Sequence, residues 1–380
     1  MNPATLALED GTVFEGSSFG AQTDKLGEVV FNTAITGYQE IFTDPSYAGQ
    51  IVVLTYPEIG NYGANGYDQE SVKPFIEGLV VREFSSIASN WRSEESADHF
   101  LSTNGIPVIA GIDTRALVRH LRNRGVMRGI IATGRVYAKD DAKDLVARAR
   151  QSPSMAGLDL ATRVSTQSSY GWDKPVIPCS PSDHMKPPAE ACCNVVAYDY
   201  GIKRNILRRL VQVGARVTVV PATTPAEDVL ALNPDGIFLS NGPGDPEPLH
   251  YQIGEIRKLI GKKPIFGICL GQQVLGLALG GKTYKLKFGH RGANHPVLNQ
   301  VTNKVEITSH NHGFAVDPDS LNPADIELTH VNLNDQTLEG FRHRSEPVFC
   351  VQYHPESSPG PHDSHYLFDD FVDLMKEFKK

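Results

Sequence analysis

The rhythm of hydrophobic and polar positions changes twice along the chain. Up to about Gly134 it is mostly that of strands and turns. LALEDG and TVFEG alternate apolar and polar residues around Asp10-Gly11, which predicts a hairpin. EVVFNTAIT and QIVVLTYP are β-branched runs bounded by Gly, Pro and Asp, and predict strands. One segment, GIDTRALVRHLRNRG, switches to helical spacing. Asp113 or Thr114 caps it, Leu117, Val118 and Leu121 turn inward, and Gly125 stops it. Its other face carries Arg115, Arg119, Arg122 and Arg124. That face reads either as solvated or as a docking surface for an acidic partner or anion.

Between residues 151 and 190 the periodicity fades. STQSSYGW and SPSDHMKPP are rich in Ser and Pro and predict an extended linker. From NVVAYDYG onward strands and helices alternate. NVVAYD, ARVTVVP, DGIFLS and KPIFGI read as short buried strands, with IKRNILRRLVQVG, PAEDVLAL and HYQIGEIRKLIG as the helices between them. Such spacing implies βαβ crossovers, a mainly parallel, doubly wound sheet and ligands at the carboxyl ends of its strands. The expected organisation is therefore a mixed, β-rich α/β domain over 1–150, a linker over 151–190, and a doubly wound α/β domain over 191–380. No internal repeat is visible.

Composition narrows the function classes. The chain has 380 residues, enough for two or three domains, with 40% hydrophobic and 21% charged residues. That is ordinary globular composition and excludes wholesale disorder. A formal charge of −8 argues against a protein built to grip nucleic acid. No apolar run is long enough to span a membrane, and MNPATLALEDGTVFEG has neither the basic start nor the apolar core of a signal peptide. Five cysteines in such a length form no disulfide framework. The expectation is a soluble cytoplasmic protein.

Three short motifs carry chemistry. GICLG sets Cys269 between a buried strand and the apolar helix QQVLGLAL, the arrangement of a nucleophile elbow. The helix N-terminus there favours the thiolate and offers backbone N–H groups to an oxyanion. YHPE places His354 and Glu356 two residues apart after PVFCVQ, so on an extended segment the carboxylate orients the imidazole. NGPGDP, at another strand end, is a rigid loop whose N–H groups can face a carbonyl. Two further patterns are refused. GLALGGKT matches a phosphate-binding loop, but Gly276 falls inside an apolar helical run. His310 and His312 in SHNHGF lack a partner acid at metal-ligand spacing, so no metal site is expected.

With GICLGQQ, NGPGDP and YHPE in view, residues 191–380 resemble the class I (triad) glutamine amidotransferases. The first half adds GEVVFNTAITGYQEIFTDPSYAGQIVVLTYPEIGNYG and IAGIDTRALVRHLRNRG, which resemble the small subunits of glutamine-dependent carbamoyl phosphate synthetases. The resemblance implies that Cys269 is the nucleophile, His354 its base and Glu356 the orienter. It further implies L-glutamine or oxyanion contacts at Gly242, Gly244, Leu270, Gln273, Asn311, Gly313 and Phe314, with Ser46 of TDPSY contributed by the first domain. The implied partner is a large subunit that uses ATP and Mg, with no cofactor in this chain. Competing readings are a glutaminase subunit of another synthetase, a stand-alone Cys hydrolase and a non-catalytic binding module. The first leaves residues 1–150 unexplained, the second predicts full activity without a partner, and the third sits badly with the presence of both Cys269 and His354.

Overall fold

The computed structural model describes residues 2–134, 142–177 and 187–380. They form two compact units. One is Met1–Ala156 with Lys287–Gly292; the other is Gly157–Leu286 with Ala293–Lys380.

The first unit contains β1 (Pro3–Leu8), β2 (Val13–Gly20), β3 (Lys25–Asn32), β4 (Gln50–Leu54), β5 (Glu58–Ile59), β6 (Gly78–Val80), β7 (Glu83–Phe84), β8 (Pro107–Ala110) and β9 (Met127–Thr133). Seven of them close a barrel in the order β1-β2-β8-β6-β4-β3-β9, while β5 and β7 pair separately. β9 closes the ring by pairing antiparallel with both β1 and β3. Inward residues such as Leu6, Val29, Ile51, Val80, Ile109 and Ile131 fill one core. The helix Thr114–Arg124 begins at Asp113, whose Oδ1 accepts from the Ala116 amide at 2.9 Å, and ends at Gly125 with φ 99°. Leu117 and Leu121 are buried in that core, Val118 is only partly covered, and the four arginines face solvent. Lys287–Gly292 lies far away in sequence, yet Phe288 packs on the core beside Phe31, ring centroids 5.8 Å apart.

The second unit is built on one ten-stranded sheet. Its strands are β10 (Tyr170–Trp172), β11 (Cys193–Asp199), β12 (Ala215–Pro221), β13 (Gly236–Leu239), β14 (Ile265–Ile268), β15 (Thr283–Asn299), β16 (Lys304–Val316), β17 (Ile326–Asn332), β18 (Leu338–His343) and β19 (Val348–Val351). Their order is β10-β12-β11-β13-β14-β19-β18-β17-β15-β16. The stretch from β12 to β19 is parallel, as the alternation of strands and helices requires. Beyond β19 the sheet continues antiparallel through β18 and β17 to β15, an extension that the helix-strand alternation does not announce. Neighbouring residues split between two cores, Val196 and Ile237 on one face and Val195 and Phe238 on the other. Both faces are therefore buried.

The expected linker needs correction. Residues 157–177 belong to the second unit. The Thr166 amide donates to Asp199 Oδ2 at 2.8 Å, Ser165 Oγ accepts from the Ala222 amide at 2.9 Å, and β10 adds an antiparallel edge to β12. Ser165, one of the serines that suggest a solvated tether, instead satisfies the amide just beyond the end of β12. Positions 178–186 of that linker lie outside the described residues. Among the described residues, Cys192, Cys193, Cys269 and Cys350 are free thiols, and no helix is long and apolar enough to cross a membrane.

Candidate active site

The parallel strands bring their carboxyl ends to one edge of the sheet, and the motifs meet there. β14 ends at Ile268, and Cys269 follows with φ 54° and ψ −105° as the N-cap of the helix Leu270–Ala278. A positive φ is strained for a residue with a side chain. The turn is fixed from two sides. The Cys269 amide donates to the Val351 carbonyl on β19 at 2.9 Å, and a Cβ at Gly271 would lie 2.2 Å from the Leu239 carbonyl oxygen. Only glycine lets the helix start so close to β13. The Cys269 thiol, 2% exposed, donates to the Asn311 carbonyl on β16 at 3.8 Å.

His354 follows β19, its amide bound to the Ser309 carbonyl at 2.8 Å. Its Nδ1 stands 2.7 Å from Glu356 Oε1, and both side chains are buried. This pairing is made across a turn, closed by the Ser357 amide on the His354 carbonyl at 3.1 Å, rather than along the extended segment expected. Pro355 lacks the N–H needed to continue a strand, so the chain turns.

A fourth side chain, absent from the sequence reading, completes the cluster. Lys203 Nζ donates to Glu356 Oε1 at 2.9 Å and to the Ser357 carbonyl at 2.6 Å, with 3% of the lysine side chain and none of the glutamate's exposed. The Lys203 amide donates to Asn241 Oδ1 at 3.1 Å, tying the end of β11 to the NGPGDP loop. One signal was available. Lys203 is the N-cap of the helix Arg204–Gln212, where the helix dipole disfavours a cation, so a lysine there needs a carboxylate elsewhere in the fold.

The electrostatics follow from burial and pairing. Burial alone would raise the Glu356 carboxyl; Lys203, then His354, overcome this and hold it down at about 2. Burial would likewise lower His354, but the Glu356 carboxylate and then Cys269 push it up to about 10. The thiol is thus one of the groups that favour an imidazolium.

The sign of the pH dependence is set by these shifts. The contribution of Glu356 is complete above its unfolded value of about 4.3 and is lost as pH falls towards 2. That of His354 is complete below about 6.5 and is lost as pH rises towards 10. In Glu356→Gln, His354 loses the largest of its upward pushes, so the alkaline decline should flatten. Urea unfolding of wild type and variant between pH 6 and 10 checks this. Parallel curves would contradict the pairing.

The loop after β13 reaches the elbow. A Cβ at Gly242 would fall 2.2 Å from the Tyr200 carbonyl oxygen and 2.7 Å from Leu270 Cδ2. Beyond Gly244, the Asp245 carboxylate anchors the loop by accepting from the amides of Gly157 at 2.9 Å and Glu247 at 3.0 Å. One turn into the elbow helix, Gln273 Nε2 donates to the Phe314 carbonyl at 2.8 Å and to Gln352 Oε1 at 3.0 Å. Cys269, Leu270, Gln273, Gly242, Gly244, Asn311, Gly313, Phe314, His354 and Glu356 are all carried by the second unit. Ser46 belongs to the first unit, in the short turn Pro45–Tyr47, its amide on Asp44 Oδ1 at 2.8 Å.

The two refused patterns fare differently. GLALGGKT is the end of a buried helix, and a Cβ at Gly276 would meet Val316 at 2.9 Å, so it presents no phosphate cradle. The histidines of SHNHGF do have an acid nearby: Glu339 Oε1 on β18 lies 3.7 Å from His310 Nδ1. The sheet, not local spacing, supplies that carboxylate.

The chain matches two families, "Glutamine amidotransferase class-I" over residues 196–374 and "Carbamoyl-phosphate synthase small chain, CPSase domain" over residues 6–131. Among curated proteins, it is 56% identical to the carbamoyl phosphate synthase small chain of Syntrophotalea carbinolica, over 98% of both chains. It is 55% identical to the protein of the same name from Chlorobaculum tepidum, over 99% of both. A third, from Aquifex aeolicus, is 52% identical over 98% of this chain and 99% of that one. Barrel unit, elbow, His–Glu pair and likeness along the whole length agree: the chain belongs to the family of carbamoyl phosphate synthase small chains.

Proposed function

We propose that this chain is the glutaminase subunit of a glutamine-dependent carbamoyl phosphate synthetase. It would act in the cytoplasm, hydrolysing L-glutamine to glutamate and ammonia and passing the ammonia to a large subunit. That subunit would combine it with bicarbonate at the expense of two ATP, for arginine and pyrimidine synthesis. The observation that carries the reading is the buried series Cys269, His354, Glu356 at the carboxyl edge of a parallel sheet.

Each residue then has one task. The Cys269 thiolate attacks the side-chain amide carbon of glutamine, and the C=O π pair moves to oxygen. The N–H groups of Gly242 and Leu270 hold that oxyanion. The His354 imidazolium gives its Nε2 proton to the departing nitrogen, the C–N bond breaks, and a γ-glutamyl thioester and ammonia result. Neutral His354 next takes a proton from water, whose oxygen attacks the thioester. The C–S bond breaks, and glutamate leaves with the thiolate restored. Gly244, Gln273, Asn311, Gly313 and Phe314 frame the glutamine. Glu356 stays ionised throughout, and no step is assigned to a nucleotide or to Mg in this chain.

Ammonia protonates in bulk water near pH 7 and loses its nucleophilicity, so uncoupled hydrolysis is wasteful. The first unit, with the exposed Arg115, Arg119 and Arg122, supplies the docking surface in this reading. Glutamate release by the purified chain should be slow alone and rise on the order of 10²-fold with the large subunit, because a shift of about an ångström in an oxyanion donor suffices. An isolated chain as fast as the complex would favour the stand-alone hydrolase.

A further inference from the structure

We propose, resting on the glutaminase reading above, that Gln352 is a positioning residue for glutamine hydrolysis. Acting through Gln273, it holds that side-chain amide with its oxygen, not its nitrogen, towards the bound amino acid. Gln273 is 2% exposed and Gln352 not at all. The Phe314 carbonyl only accepts, so the Gln273 atom 2.8 Å from it is the nitrogen. That nitrogen carries a second hydrogen, and 3.0 Å away it meets Gln352, whose facing atom must therefore be oxygen. Turning Gln273 alone sets oxygen against two oxygens, and turning Gln352 alone sets nitrogen against nitrogen. Turning both still leaves the Gln273 oxygen against the Phe314 carbonyl. Gln352 is held in its own right, its backbone amide donating to the Glu339 carbonyl at 2.8 Å. Its Nε2 is buried without a partner, so the oxygen alone does the positioning. Without that oxygen, one N–H of a buried amide goes unmet, and rotating the amide to satisfy it breaks the bond to Phe314.

The result is an acceptor aimed at substrate. Gln273 lies one turn after Cys269, its amide on the Cys269 carbonyl at 3.2 Å, so the two side chains share a helix face. Both reach β16, the thiol at the Asn311 carbonyl and the amide at the Phe314 carbonyl. Among the described residues nothing donates to Gln273 Oε1, and unlike Gln352 Nε2 it is not walled in. Glutamine offers such an oxygen two donors, its amide nitrogen and its α-ammonium, whereas the α-carboxylate only accepts. The amide nitrogen departs beside Cys269 and His354, so the ammonium falls to Gln273. That ammonium is remote from the carbonyl under attack and keeps its charge through both steps. The contact is then equally strong in ground and transition states, and its loss falls on KM rather than kcat.

A double-variant cycle on the reconstituted two-subunit complex tests this. Gln352→Met keeps the bulk of the side chain and removes the oxygen. It should raise KM for glutamine about tenfold, with kcat and ammonia-dependent synthesis within about twofold of wild type. Preference for glutamine over glutaramate, the same amide without an α-amino group, should shrink by a similar factor. In a Gln273→Met background, Gln352→Met should move KM by less than about twofold, because the group it positions is gone. Gln352→Glu keeps an oxygen at the contact and gives up only the unpartnered N–H, so its KM should stay within about threefold of wild type. An unchanged KM in Gln352→Met would overturn the role. Effects that multiply in the double variant, or a Gln352→Glu as impaired as Gln352→Met, would make Gln352 ordinary packing and overturn it too. Failure of the glutaminase reading looks different: wild type would then release no glutamate at any glutamine concentration.

Discussion

In the reconstituted two-subunit complex, Cys269→Ser is expected to lower glutamine-dependent carbamoyl phosphate synthesis on the order of 10³-fold or more. Ammonia-dependent synthesis should stay within about twofold of wild type, because the variant touches only ammonia release. The substitution is nearly isosteric, so the elbow at φ 54° and its amide bond to Val351 should survive. What changes is the nucleophile. A serine hydroxyl beside His354 is far harder to ionise than a thiol, and little thioester-equivalent forms. Measuring both rates on one preparation separates loss of chemistry from loss of assembly. An equal fall in the two would contradict the division of labour between subunits.

The second large effect concerns the carboxylate. Glu356→Gln takes the carboxylate away from the buried Lys203, and loss of one partner of a buried pair costs about 3–5 kcal/mol. Lys203→Met removes the stronger of the two cations on the carboxylate and leaves it only His354. The double variant, carrying no buried charge from either side chain, should recover much of that stability, so the two single losses will not add. Rates should order differently. His354→Asn removes the base itself and should cost on the order of 10³-fold or more. Glu356→Gln should be milder in rate than His354→Asn. Chemical unfolding and single-turnover glutamate release on the four proteins test both orders. A double variant as unstable as the sum of the singles would show that Lys203 and Glu356 act independently.

Much of this site is legible in the sequence because its parts are local. An elbow needs glycines beside the nucleophile, an orienting acid near its histidine stands two residues away, and the loop after a strand shows itself by Gly and Pro. The alternation in 191–280 likewise announces the parallel core, since each βαβ unit writes both its periods in one short stretch. Contributions that cross the sheet are not written that way. Lys203 lies 153 positions from Glu356, and no spacing rule joins them. Glu339 reaches His310 only because β18 and β16 share a sheet. Phe288 reads as part of the second domain and packs in the core of the first. Closure of the barrel is equally invisible, since each of its strands looks the same in an open sheet.

That closure has a consequence for how the chain is made. β1 is clasped between β2 and β9, so the strand that begins at Pro3 finds its last neighbour only when Met127–Thr133 has been synthesised. At 5–20 residues per second, the delay is on the order of 10 s. Throughout it the nascent hairpin shows the ribosome's surroundings Leu6 and Leu8, two side chains with no exposure in the finished protein, along with a bare strand edge. Slowing translation before β9 has left the ribosomal exit tunnel prolongs that exposure, whereas slowing it near the end of the chain does not. Synonymous rare codons placed on either side of this boundary should therefore differ in the yield of soluble protein.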